Sequence, residues 1–131
     1  MIKCRIIYKS TGDLGKTNFT CDGLFQNKGE LALLKFSYND GESLSNFSFS
    51  ILKNNIVRLT KSGGLDYTLV FNTIAPYSTN ANSYGFNIPI DLTTKNVSIK
   101  TSDTSIEISL VYLLNVGGNV SNESVTISAN F

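Results

Sequence analysis

Ser105 to Asn119 reads SIEISLVYLLNVGGN, and its spacing decides the fold. Ile106, Ile108, Leu110, Tyr112 and Leu114 recur at every second position, with Glu107, Ser109 and Val111 between them. A period of two puts alternate side chains on opposite faces of a strand, whereas a helix would need a period of 3.6. Gly117-Gly118 then supplies the residues that a tight reversal favours, because glycine takes positive φ without steric cost. The stretch is a strand and a turn, with one dry face.

The same alternation runs outward in both directions. Ile2, Cys4, Ile6 and Tyr8 share a face, as do Phe19, Cys21, Gly23 and Phe25, after a predicted loop at Thr11–Thr17. Ala32, Leu34, Phe36 and Tyr38 follow, then Phe47, Phe49 and Ile51, then the segment Ile56 to Thr60. Leu65, Tyr67, Leu69 and Phe71 share a face, and the polar run Ala75–Ser83 reads as a loop. Tyr84, Phe86, Ile88, Ile90 and Leu92 form the next strand, Val97 and Ile99 a shorter one, and Val125, Ile127, Ala129 and Phe131 the last. About ten short strands with regular turn signals indicate an all-β protein. A closed antiparallel barrel and a two-sheet sandwich both fit a sheet with a single dry face. The expectation is one domain over residues 1–131.

Composition narrows the function classes. The chain has no histidine, so Ser-His-Asp and Cys-His pairings cannot form within it, and the commonest metal ligand is missing. Lys+Arg is 11 and Asp+Glu is 10, a balance without the field that nucleic acid or an acidic membrane surface attracts. No apolar run reaches the length of a membrane helix, and the first residues do not read as an export signal. The expected compartment is the cytoplasm, with Cys4 and Cys21 as reduced thiols. No metal, cofactor or catalytic residue is expected.

Lys61-Ser62-Gly63-Gly64 invites comparison with a phosphate-binding loop. Such a loop needs its lysine after the glycines and a helix following. Here the lysine comes first and a strand follows, so the glycines read as a hairpin turn.

Cys21-Asp22-Gly23-Leu24-Phe25, Lys61-Ser62-Gly63, Leu69-Val70-Phe71, Tyr77, Tyr84-Gly85, Thr93-Thr94 and Tyr112, in that order, resemble the YwiB-like, calycin-like β-barrel proteins, small proteins of bacteria. The resemblance spans nearly the whole chain. It implies an all-β, closed antiparallel barrel of about 8–10 strands, calycin- or lipocalin-like, and supplies no catalytic residues. Where that family tends to carry arginine two residues before the hairpin glycine, this chain has Lys61, a point charge rather than a bidentate fork.

Two readings of the apolar faces stay open. In one, the aromatic residues fill a solid core, and the protein is an interaction or self-assembly module working as a homo-oligomer. In the other, the barrel binds a small, partly apolar ligand without catalysis. Tyr67, Tyr84, Phe86 and Tyr112 then line the interior, with Arg58 or Lys61 at the mouth. The carboxylates Asp22, Asp66, Asp91, Asp103 and Glu107 read as solvated surface.

Overall fold

The computed structural model describes Met1–Phe131. Ten strands follow one another: β1 Ile2–Gly12, β2 Gly15–Lys28, β3 Leu31–Asn39, β4 Leu44–Leu52, β5 Ile56–Ser62, β6 Tyr67–Phe71, β7 Tyr77–Ser83, β8 Phe86–Thr101, β9 Ser105–Val116 and β10 Asn119–Asn130. The only helical element is a single 3-10 turn, Lys53–Asn55. All strands pair antiparallel in one sheet of order β6-β5-β4-β3-β2-β1-β10-β9-β8-β7. The first and last strands are therefore neighbours, with Ile6 opposite Ala129 and Tyr8 opposite Ile127.

The sheet curls until its two ends meet. They are joined at one bridge, where Asp66 and Asn82 exchange backbone hydrogen bonds of 2.8 Å each. The barrel is thus nearly closed, and the sandwich alternative is ruled out. The stretch Ser105–Leu114 lies where its alternation requires: Ile106, Ile108 and Leu110 are buried, and Ile108 touches no solvent.

Three expectations change. The loop at Thr11–Thr17 is a reversal of Asp13 and Leu14 alone, with Gly12 opposite Gly15. The run Ala75–Ser83 contains β7, hidden because its inward residues include Thr79, Ala81 and Ser83, which carry little apolar signal. Val97 and Ile99 belong to β8. A bulge between Thr94 and Asn96 shifts the register, so the inward positions change from even to odd numbers. One bent strand then reads as two.

Gly63 and Gly64 both take positive φ, 97° and 77°. A β-carbon on Gly63 would stand 2.0 Å from the Leu44 carbonyl oxygen. The lysine-glycine stretch is a hairpin, with no helix behind it.

The interior is uneven along the barrel axis. At the end holding both termini, Cys4, Ile6, Leu34, Phe49, Val57, Phe71, Ile106 and Ile127 are buried in one cluster. Phe25 and Phe131 stack across this end at 4.7 Å, and the Asn55 side chain donates to the Val97 carbonyl at 2.7 Å. The other end carries the turns at 13–14, 40–43, 63–66, 84–85 and 117–118. There the wall gains polar groups and the packing opens.

Candidate functional site

The open end holds a cavity of about 400 Å³. Leu65, Tyr67, Leu69, Ile90, Leu114 and Val116 form its walls, with Leu14, Asn119, Val120 and Ser121 at the rim. Strand alternation explains the lining. Tyr67 and Leu69 are successive inward residues of β6, and Leu114 and Val116 of β9, while Ile90 reaches in from β8. The volume falls within the usual range for small-molecule sites, which are mostly apolar with few polar groups. The aromatic residues on β1–β4 do the opposite and fill space: Phe19 stacks on Tyr8 at 4.6 Å and on Tyr38 at 3.9 Å. The open end is thus filled on its β1–β4 side and hollow on the side of β6, β8 and β9.

Of the six residues singled out from sequence, three reach the interior. Tyr67 is a cavity wall, and burial pushes its phenol up to about 12. Tyr112 lies deeper, edge-on to Phe71 at 5.0 Å between ring centroids, and burial raises its phenol as well. Lys61 faces inward on β5, its Nζ donating to the carbonyls of Gly63 and Leu65 at 3.1 Å each and standing 5.7 Å from the Tyr67 ring centroid. Partial burial lowers its pKa, offset in part by Asp66 and Asp40.

The other three are elsewhere. Arg58 is exposed on the outer face, opposite Ser50 and Val70, because it stands one position out of phase with Val57 and Leu59. Phe86 has the inward phase of β8 but lies at the tip of the β7–β8 hairpin, beyond the barrel wall, and Tyr84 is in the turn before it rather than in a strand; they are 73% and 93% exposed. Tyr84 takes a φ of 48°, as the turn requires.

Glu123 escapes the sequence reading. It is 8% exposed and points inward from β10, opposite Tyr112 on β9 and Gly12 on β1. Its Oε1 accepts the Leu14 amide at 3.4 Å. The signal was available: the alternation of Val125, Ile127 and Ala129, carried back by two and by four residues, puts Glu123 and Ser121 on the inward face. The β1–β2 tip is tied to β10 beside it, the Asn122 amide donating to Asp13 Oδ2 at 2.7 Å and the Asp13 amide to the Asn122 carbonyl at 3.1 Å.

Cys4 and Cys21 lie on neighbouring strands in diagonal register, since Cys4 pairs with Gly23 and Ile6 with Cys21. Both are free thiols, and burial raises both above their ordinary value. No group of three or more Cys, Asp or Glu side chains is arranged to hold a metal ion. Asp22 and Arg5 form an exposed ion pair at 3.1 Å on the outer face.

Comparison with known proteins places this geometry. The family described as "Domain of unknown function (DUF1934)" matches residues 2–127, and the chain belongs to that family. The crystal structure of the YwiB protein from Bacillus subtilis is similar over 98% of this chain and 90% of that one, with a TM-score of 0.84 and 17% sequence identity. At that identity the likeness establishes the fold. No curated protein matches the chain.

Proposed function

We propose that this chain, a member of the DUF1934 family, binds a small, partly apolar molecule in the open end of its barrel and performs no chemistry on it. One observation carries the reading: the cavity of about 400 Å³ whose walls are Leu65, Tyr67, Leu69, Ile90, Leu114 and Val116. Burying a ligand there removes apolar surface of both partners from water, at roughly 25 cal/mol per Å². The outer face, with Lys35, Ser37, Asn46, Ser48 and Thr60, is that of a sheet facing water, and the free cysteines suit the cytoplasm. A calycin-like carrier is the architecture this use resembles.

The test is native mass spectrometry of protein expressed in cells. The wild type should retain a small-molecule adduct, and Leu114→Trp, which fills the cavity, should release it. An adduct of equal abundance on the filled variant would overturn the assignment.

A second reading has its own support. Leu14, Tyr84, Phe86 and Val120 are exposed apolar residues around the same end of the barrel. Such a rim suits contact with a protein partner or a second copy of the chain. Sedimentation would show it as a concentration-dependent dimer that Phe86→Ser dissociates.

A further inference from the structure

We propose that the ligand of the open end is an uncharged molecule with a single hydroxyl or carbonyl group on an apolar body, and that Ser121 receives that group. This rests on the cavity being the binding site and names the class of molecule it takes.

Ser121 lines the cavity and is 5% exposed. It holds an inward position of β10, opposite Leu114 of β9, which is itself a cavity wall. Its hydroxyl takes part in no hydrogen bond, yet no fully buried side-chain oxygen of the chain lacks a partner. The Ser121 Oγ therefore meets open space, and the space this side chain lines is the cavity. Asn119, at the rim, is exposed, so Ser121 is the polar group placed just inside the mouth. The walls formed by Leu65, Leu69, Ile90, Leu114 and Val116 offer only hydrocarbon. A serine hydroxyl both donates and accepts. It suits an alcohol, which can do the same, or a carbonyl, which accepts.

No charged side chain lines the cavity or its rim. The charged residues with inward positions at this end, Lys61 and Glu123, are engaged elsewhere. The Lys61 ammonium donates to the carbonyls of Gly63 and Leu65. Glu123 accepts the Leu14 amide through one oxygen, and its other oxygen stands against Gly12. A ligand carboxylate or ammonium drawn into this cavity would lose water and gain no counter-charge, which is costly. A hydroxyl or carbonyl loses less and regains a hydrogen bond at Ser121. The site thus selects for a neutral head and against both ionic ones.

Four six-carbon probes separate the terms: hexanol, chlorohexane, hexanoate and hexylammonium, titrated calorimetrically into the full-length wild type. Hexanol should bind at least about tenfold more tightly than either ion. In Ser121→Ala hexanol should weaken about fivefold, the loss of one hydrogen bond, while chlorohexane stays within about twofold. In Leu114→Trp, which fills the cavity, binding of all four should be lost. Hexanoate or hexylammonium binding as tightly as hexanol would overturn the neutral head and leave the cavity standing. A hexanol affinity unchanged in Ser121→Ala, or an equal loss for chlorohexane, would overturn the role of Ser121. If hexanol does not bind the wild type, or binds Leu114→Trp as tightly, the cavity reading and the inference fall together.

Discussion

The Glu123 carboxylate occupies the space that a side chain on Gly12 would fill: a β-carbon there would stand 2.1 Å from Oε2. The two residues face each other across the β1–β10 pair. Gly12 is not among the residues with positive φ, so the requirement for glycine is one of volume rather than backbone conformation.

Gly12→Ala should therefore destabilise the fold by about 1–3 kcal/mol, as overpacking does. Shortening the opposing side chain should relieve part of it, since the added carbon would still stand against the Asn122 carbonyl oxygen. In a double-mutant cycle of Gly12→Ala with Glu123→Ala, measured by urea unfolding, the two changes should couple by about 1 kcal/mol or more. Additive effects would show that the clash is absorbed by movement of the hairpin tip instead.

The buried phenols make alkaline stability a second test. Burial raises Tyr67 to about 12 from an ordinary 10, and raises Tyr8 and Tyr112 in the same direction. Below pH 10 each phenol is protonated in both the folded and the unfolded chain, so the contribution is fully present. Above pH 10 the unfolded chain loses these protons first, and the Tyr67 contribution falls until its folded phenol ionises at about 12. For Tyr67 the loss approaches about 3 kcal/mol, the free energy that separates a phenol ionising at 10 from one ionising at about 12. Urea unfolding repeated through this window should show midpoints that fall with pH, and Tyr67→Phe should flatten the slope.

Core and surface should separate cleanly on β5 and β9. Ile108 is fully buried, and truncation to alanine should cost about 2–5 kcal/mol. Arg58 is exposed on the outer face, and Arg58→Ala should change stability by no more than about 0.5 kcal/mol. Thermal unfolding of the two variants decides between this placement and an Arg58 that contributes to the mouth.

These placements show where period-two reading works and where it fails. It succeeds on β9, whose inward residues are all large and apolar. It fails on β7 because an edge strand with Thr79, Ala81 and Ser83 inward differs little in composition from a loop. It divides β8 because a single extra residue at Lys95 inverts the phase, and nothing in the local composition marks the bulge. Among the residues named for the site, phase alone put Tyr67 and Tyr112 on the inward face, where both are found. It misplaced Tyr84 and Phe86, since phase gives the face of a strand but not how far the strand runs past the barrel. Glu123 was missed for the reverse reason: its phase is right for the interior, but its charge suggests the surface. A buried carboxylate is the kind of local inconsistency that clusters at functional sites.

The seam between β6 and β7 yields the last prediction. Neighbouring strands elsewhere in the sheet pair as extended ladders, but β6 and β7 meet only at the bridge between Asp66, just before β6, and Asn82. From Tyr67 to Phe71, β6 pairs with β5 alone, and β7 pairs with β8 alone, so each has one edge without ladder partners. β9 is bonded on both sides, to β8 and β10. Local opening at the seam breaks fewer bonds than opening β9, so its amides should exchange with solvent fastest among the strands. Hydrogen exchange followed by mass spectrometry should show peptides covering 67–71 and 77–82 labelled well before those covering 106–114. Tyr67 connects this to function, because it borders both the internal cavity and an external polar cleft with Thr68, Thr79 and Asn80. A ligand held against Tyr67 should slow exchange on both sides of the seam, and uniform protection across the barrel would place it elsewhere.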